Sequence, residues 1–316
     1  MLNNVAHIGR QAALTAGEVL RHDYLKPHRI TLKGVIDPVT ETDLKSQETI
    51  INLIRQNFPA HAILAEEIVG EGAKGRRPLP PPPSPLPQTL MGLEAGEVGT
   101  AGPAFPGPYT GGGEGGLRGR QGPQAPGPPL KTTLPPPYRW IIDPLDGTVN
   151  FAHGFPMFCV SIAFEAAGLV EYGVVYDPLR EELFEARRGG GATLNGQPIK
   201  VSSIDRLDAA LLATGFPYDI RERLPETLER LGRVMAVAQG VRRAGSAALD
   251  LCYVASGRLD GFFEENLKPW DTAAGTLIVT EAGGRVSTFS GGPYELTSPN
   301  IVASNGKLHS NLLVFL

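Results

Sequence analysis

Cysteine is nearly absent. The 316 residues hold two, Cys159 and Cys252, both in apolar surroundings. That excludes a disulfide framework and leaves buried, reduced thiols as the expectation. Positive charge is not in surplus either: 29 Lys and Arg face 33 Asp and Glu, for a net charge of −4 and a pI near 5.9. The electrostatic footprint of a nucleic-acid-binding chain is therefore missing. His7, His22, His28, His61 and His309 are scattered, and none pairs with a cysteine at zinc spacing, so zinc is not expected. No apolar run approaches the length that crosses a bilayer, and Met1-Leu2-Asn3-Asn4-Val5 does not begin a basic stretch followed by an apolar one. A soluble, cytoplasmic protein without a membrane partner is the expectation.

Proline and glycine are plentiful but unevenly placed. Residues 78–137 contain 17 Pro and 13 Gly in 60 positions, including Pro80-Pro81-Pro82-Pro83 and Gly111-Gly112-Gly113. Half of that stretch breaks helices and strands, and it has too few branched or aromatic residues to offset the entropy of ordering. Residues 71–137 thus read as a disordered insertion or a polyproline II motif for a partner. The folded part is then one domain, residues 1–70 and 138–316, with an N-terminal part to about 185 and a C-terminal part from about 186.

Regular patterns fill that domain. Val5, Ile8, Ala12, Val19 and Leu20 recur at helical spacing over about 3–24. A second helix is predicted from Asp43 to Phe58, with Leu44, Ile50, Ile51, Ile54 and Phe58 as its apolar side. The short strand Ala62–Ala65 runs into Glu66-Glu67. Strand patterns over 158–164, 170–176 and 182–186 predict an antiparallel sheet. Helical stretches follow at about 224–238 and 246–256, then a strand at 261–264 and a helix opening at Asp271. This alternation is mixed α/β.

The most informative run is Trp140-Ile141-Ile142-Asp143-Pro144-Leu145-Asp146-Gly147-Thr148. Trp140 to Ile142 read as a strand covered on both faces, Pro144 as the residue that ends its pairing, and Gly147 as a point of close backbone approach. Asp43, Glu66, Asp143, Asp146 and Asp271 each stand where a strand or loop meets the next element. Such carboxylates repel one another unless cations lie between them, and hard oxygen ligands favour Mg²⁺. Singly, each has a plainer reading: Asp43 and Asp271 as helix caps, Glu66 as a solvated acid, and Asp143 to Gly147 as a turn.

Trp140 to Phe151, with His153-Gly154-Phe155-Pro156 after it, resembles the first signature of the inositol monophosphatase family. Trp270 to Gly284 resembles the second, and Val39 to Asp43 and Ala65 to Glu67 are similar to its other acidic stretches. The resemblance spans residues 1–70 and 138–316. It implies an αβαβα layered sandwich, an α/β fold of the inositol monophosphatase/fructose-1,6-bisphosphatase type. It also implies Mg²⁺-dependent hydrolysis of a small phosphomonoester by metal-activated water. Inositol monophosphate is the expected substrate. Fructose-1,6-bisphosphate, a 3′(2′),5′-bisphosphate nucleotide and histidinol phosphate are alternatives, and a non-catalytic partner-binding member is one of another class. By the same resemblance Glu66, Asp143 and the Leu145 carbonyl would bind one Mg²⁺. Asp143, Asp146 and Asp271 would bind a second, and a weaker third would sit near Glu66. Asp43 and Thr148 would orient the attacking water, with Lys33 nearby. Gly147 and Thr148 would face the phosphate. Asp146, the backbone of Gly245, Ser246 and Ala247, and Glu264 would meet the substrate's hydroxyls, with Arg242 close by. Homodimerisation and Li⁺ sensitivity are further implications.

Overall fold

In the computed structural model, which describes residues 1–26, 30–32, 38–67, 77–78, 137–217 and 219–316, helix α1 (Leu2–Asp23) buries Val5, Ile8, Ala12, Ala16 and Leu20 along one side. Lys33 and all of the 71–137 segment except 77–78 and 137 lie outside the described residues. Of the chain's two units, Met1–Pro82 with Pro135–Leu316 and Pro83–Leu134, the described residues all belong to the first.

Strands β1 (Ile30–Leu32) and β2 (Pro38–Thr40) pair antiparallel ahead of helix α2 (Glu41–Asn57). The start of α2 is a capping box rather than an Asp43 cap. The Thr40 hydroxyl accepts from the amides of Thr42 and Asp43, and Asp43, the third helical residue, accepts the Thr40 N–H at 2.8 Å. The helix therefore begins two residues before the predicted start. Leu44 is 37% exposed, because it shares the flank of Ile51 and not the central line of Asp43, Gln47, Ile50 and Ile54.

Strands β3 (Ala62–Ala65), β4 (Arg77–Pro78), β5 (Tyr138–Asp146), β6 (Cys159–Ala166), β7 (Leu169–Asp177), β8 (Glu182–Arg187), β9 (Gly191–Leu194) and β10 (Gln197–Pro198) come next, with the short helix α3 (Thr148–Ala152) after β5. β4 joins β1, and the rest form a seven-stranded sheet in the order β10-β9-β8-β7-β6-β5-β3. Every pair in it is antiparallel except β3 with β5. Beyond these lie β11 (Leu211–Thr214), α4 (Leu224–Met235), β12 (Gly240–Arg242), α5 (Ala247–Ala255), β13 (Gly261–Glu265), α6 (Pro269–Glu281), β14 (Arg285–Ser287), β15 (Asn300–Ser304) and α7 (His309–Leu313). Their strands make a five-stranded mixed sheet ordered β12-β11-β13-β15-β14.

Strand alternation sorts the core into layers. Trp140, Ile142, Phe164 and Val174 face α1 and α2, whereas Ile141, Ala163, Val175 and Phe184 face α5 and α6. The second sheet does the same, with Ala213, Phe262 and Ala303 toward α5 and α6 and Leu212, Phe263 and Val302 toward α4 and α7. The result is the expected αβαβα sandwich. Trp140, Phe164, Phe184 and Phe262 are fully buried, and each contributes roughly 1.5–3 kcal/mol or more of burial free energy. Gly275 lets α6 lie against α5, since a Cβ there would come within 2.6 Å of Leu251. Cys159 and Cys252 are buried free thiols in this core. Among the described residues no helix is long and apolar enough to cross a membrane.

Candidate active site

Pro144 does not end β5. Pairing with β6 continues from Asp143↔Ser161 to Asp146↔Cys159 through a register shift. Residues three apart in a regular strand face opposite ways. Here three steps on β5 match two on β6, so Asp143 and Asp146 both emerge on the face toward α5 and α6. Proline suits such a bulge because it has no N–H to leave unpaired. The Ser46 hydroxyl donates to the Pro144 carbonyl at 2.7 Å and the Leu145 amide donates to Asp143 Oδ1 at 3.0 Å, which fixes the bulge. The parallel register Ala65↔Ile142 sets Glu66, the residue after β3, level with Asp143.

The second sheet and its helices supply the rest. Asp271 is the third residue of α6, which starts at Pro269 and not at Asp271; its carboxylate accepts the Lys268 N–H at 2.6 Å. Proline is well suited to that first helical position, which is why the start precedes the predicted one. Asp146 Oδ2 accepts from the Ser246 hydroxyl at 2.5 Å and the Ala248 amide at 2.9 Å, with the Cys159 thiol at 3.7 Å. Ser246 is also the N-cap of α5, so its hydroxyl is committed to the protein.

Glu66, Asp143, Asp146 and Asp271 thus line one cleft of about 320 Å³ together with Leu145, Gly147 and Thr148. Gly245, Ser246, Ala247 and Glu264 line it as well. Asp43 is reached through Thr148, whose hydroxyl stands 3.1 Å from Asp43 Oδ1 and 2.9 Å from the Leu145 carbonyl oxygen, two acceptors for one proton. Asp43 therefore serves the capping box with one oxygen and Thr148 with the other. Arg242 does not line the cleft; Arg243 does, with its guanidinium over the Phe216 ring at 5.4 Å from the centroid. Neighbouring residues in extended chain point oppositely, and nothing in the Arg242-Arg243 pair marks which one faces inward. Asp250 is a further lining residue that the sequence reading did not single out, because it lies within an apolar helical run. Gly245 has φ +88°, and a Cβ there would meet the Arg243 and Asn150 side chains.

Burial raises the pKa of Asp143 well above the ordinary range, and Glu66, Asp146 and Asp271 raise it further. Asp271 is raised in the same way, by burial first and then by Asp146. Burial takes Asp146 up to about 6 against the pull of Ser246 and Ala248, and takes Glu264 up to about 8, with Asp250 adding to the rise. Carboxylates so placed call for a cation, and an all-oxygen set suits Mg²⁺. Among the described residues no group of three His, Cys, Asp or Glu side chains is arranged to hold an ion by itself. Asp143, Asp146 and Asp271, which the resemblance assigns to one ion, line the same cleft without closing round a single point.

The metal-free protein carries a testable consequence. Asp146 and Glu264 have folded pKa values above their unfolded ones, so their contribution to stability is full below about pH 4 and is lost as pH rises through about 6 and about 8. After EDTA treatment the melting temperature should fall between pH 5 and pH 8. Mg²⁺ should restore about 5 °C or more at pH 8 and much less at pH 5, as read by calorimetry.

The inositol monophosphatase family model matches residues 1–314. An inositol-1-monophosphatase of Synechocystis is 38% identical over 306 residues, covering 96% of this chain and 86% of that protein. A Nus factor SuhB of Salmonella typhimurium is 38% identical over 309 residues, covering 97% and 93%. The crystal structure of the extragenic suppressor protein suhB from Bartonella henselae superposes with a TM-score of 0.75 at 35% identity, covering 99% of this chain and 98% of that one. The chain belongs to the inositol monophosphatase family, whose members are metal-dependent phosphatases.

Proposed function

We propose that this chain is a Mg²⁺-dependent phosphomonoesterase acting on a small polyol phosphate, inositol monophosphate first. The observation that carries this reading is the β5 bulge, which turns Asp143 and Asp146 to one face, level with Glu66, in a cleft that Asp271 also lines. Glu66, Asp143 and the Leu145 carbonyl would hold one ion, Asp143, Asp146 and Asp271 would hold a second, and a third would sit near Glu66. With the single Thr148 proton given to Asp43, the Leu145 oxygen keeps its lone pairs for a ligand role. When bound, the ions supply charge that offsets the phosphate's and lowers the pKa of water.

The chain's own groups do the rest. The amides of Gly147 and Thr148 orient the phosphate. Thr148 gives its proton to Asp43, which leaves its oxygen as the acceptor that aligns the attacking water. Asp146, fixed by Ser246 and Ala248, meets the substrate's hydroxyls together with Glu264 and the backbone of Gly245 to Ala247. Residues 1–70 and 138–316 form the catalytic domain, with 71–137 as an insertion that follows Glu66 in the sequence. Li⁺ inhibition, a homodimer and a cytoplasmic location belong to the same reading.

Thr148→Val keeps the shape and removes the hydroxyl, so kcat should fall roughly a hundredfold or more with KM little changed, and Thr148→Ser should recover most of it. Released phosphate measures both. A panel of inositol monophosphate, fructose-1,6-bisphosphate, a 3′(2′),5′-bisphosphate nucleotide and histidinol phosphate tests the substrate. The highest kcat/KM is expected on the first, and a marked preference for another would reassign it. A second reading, prompted by the relatives named Nus factor SuhB, is a non-catalytic partner-binding member. The complete carboxylate set favours catalysis, because binding a partner does not require it.

A further inference from the structure

Asp250 is 2% exposed, yet it lines the cleft. Its Oδ1 has no hydrogen-bond partner among the described residues. Its amide donates to the Ser246 carbonyl in the first turn of α5, where an acid is favoured by the helix dipole, but that position does not require the carboxylate to be buried on the cleft side. A buried carboxylate oxygen without a donor destabilises the protein by itself. Such groups are kept where a ligand completes them.

The surroundings show what that ligand offers. Glu264, on β13, stands beside Asp250 with its carboxylate pressed on the face of Gly215, where a Cβ would collide with it. Arg243 lowers the pKa of both acids through its charge. Its guanidinium rests on Phe216. Two acceptors and one donor therefore line the same cleft. Burial holds the Asp250 pKa well up, and the charge of Asp146 adds to the rise.

We infer that Asp250 is a specificity-determining residue whose carboxylate accepts a hydroxyl of the substrate's polyol part, in concert with Glu264 and Arg243. The ligand chemistry is adjacent hydroxyls on a compact ring or chain: two donated to the acids, with an oxygen left to accept from the guanidinium. This rests on the phosphatase reading above and names a residue that sets its substrate class.

The test compares inositol monophosphate with phenyl phosphate, an ester without hydroxyls, on the full chain in saturating Mg²⁺. The readout is the ratio of kcat/KM for the two. Asp250→Leu should lower that ratio about tenfold, chiefly through KM for the polyol ester, as expected for one lost hydrogen bond. Asp250→Asn keeps an acceptor oxygen and should hold the ratio to within about threefold of the wild type. The Leu variant should also melt above the wild type in the absence of substrate, because an unpaired buried acid is gone. An unchanged ratio in Asp250→Leu, or equal losses on both esters, overturns the inference while leaving the phosphatase reading intact. A wild type that hydrolyses neither ester overturns both.

Discussion

Asp143→Asn should lower kcat by roughly a thousandfold or more and yet leave a protein that folds. Asp143 is buried at the bulge of β5, and its negative charge is opposed by burial and by Glu66, Asp146 and Asp271. The amide has the same shape and can still accept the Leu145 N–H that now goes to Oδ1. What it lacks is the charge that draws a divalent cation into the cleft. Stripped of metal, the variant should therefore melt above the wild type at neutral pH, since one of several crowded buried acids is gone. In Mg²⁺ the order should reverse, because the wild type alone gains binding energy. Differential scanning calorimetry with and without Mg²⁺ reads both, and phosphate release reads kcat.

Gly147→Ala is expected to damage stability and turnover together. Gly147 has φ +92°, and a Cβ there would stand 2.8 Å from the Met157 carbonyl oxygen and 3.2 Å from Phe158 Cα. The left-handed backbone costs about 1–2 kcal/mol for a residue with a side chain. The collision adds roughly 1–3 kcal/mol, because it is with main chain that cannot rotate away. A fall in melting temperature of about 10 °C follows. The residue lies between Asp146 and Thr148, so a shift of even 1 Å misplaces both, and kcat should drop about a hundredfold. Gly283→Ala is the control: its φ is +86° but nothing lies within 4 Å, so only the backbone cost applies and kcat should hold.

Much of this architecture was legible in the chain. The apolar run before Asp143 declared a strand buried on both faces, and the alternation over 158–186 declared the antiparallel sheet that flanks it. The bulge was not legible. Pro144 reads locally as a stop, and only pairing with Ser161 and Cys159 shows that the strand continues and why both aspartates face one way. Asp43 and Asp271 looked like caps because acids favour helix starts; both instead occupy the third helical position, which Thr40 and Pro269 set from upstream. Strands β14 and β15 and helix α7 are short and carry little periodicity, so they emerged only from packing on β13 and α6. Arg243 and Asp250 were hidden for a related reason. Which side of a chain faces a cleft between two sheets depends on contacts distant in sequence, and Asp250 sits in a helix whose other inward residues are apolar.

The most direct measurement is phosphate release from inositol monophosphate by the purified full chain in Mg²⁺, after EDTA, and after Mg²⁺ is restored. Turnover in Mg²⁺, its loss in EDTA and its return on re-addition are the expected results. Equal release in EDTA, or none in Mg²⁺, would contradict a cation-dependent phosphatase built on Glu66, Asp143, Asp146 and Asp271.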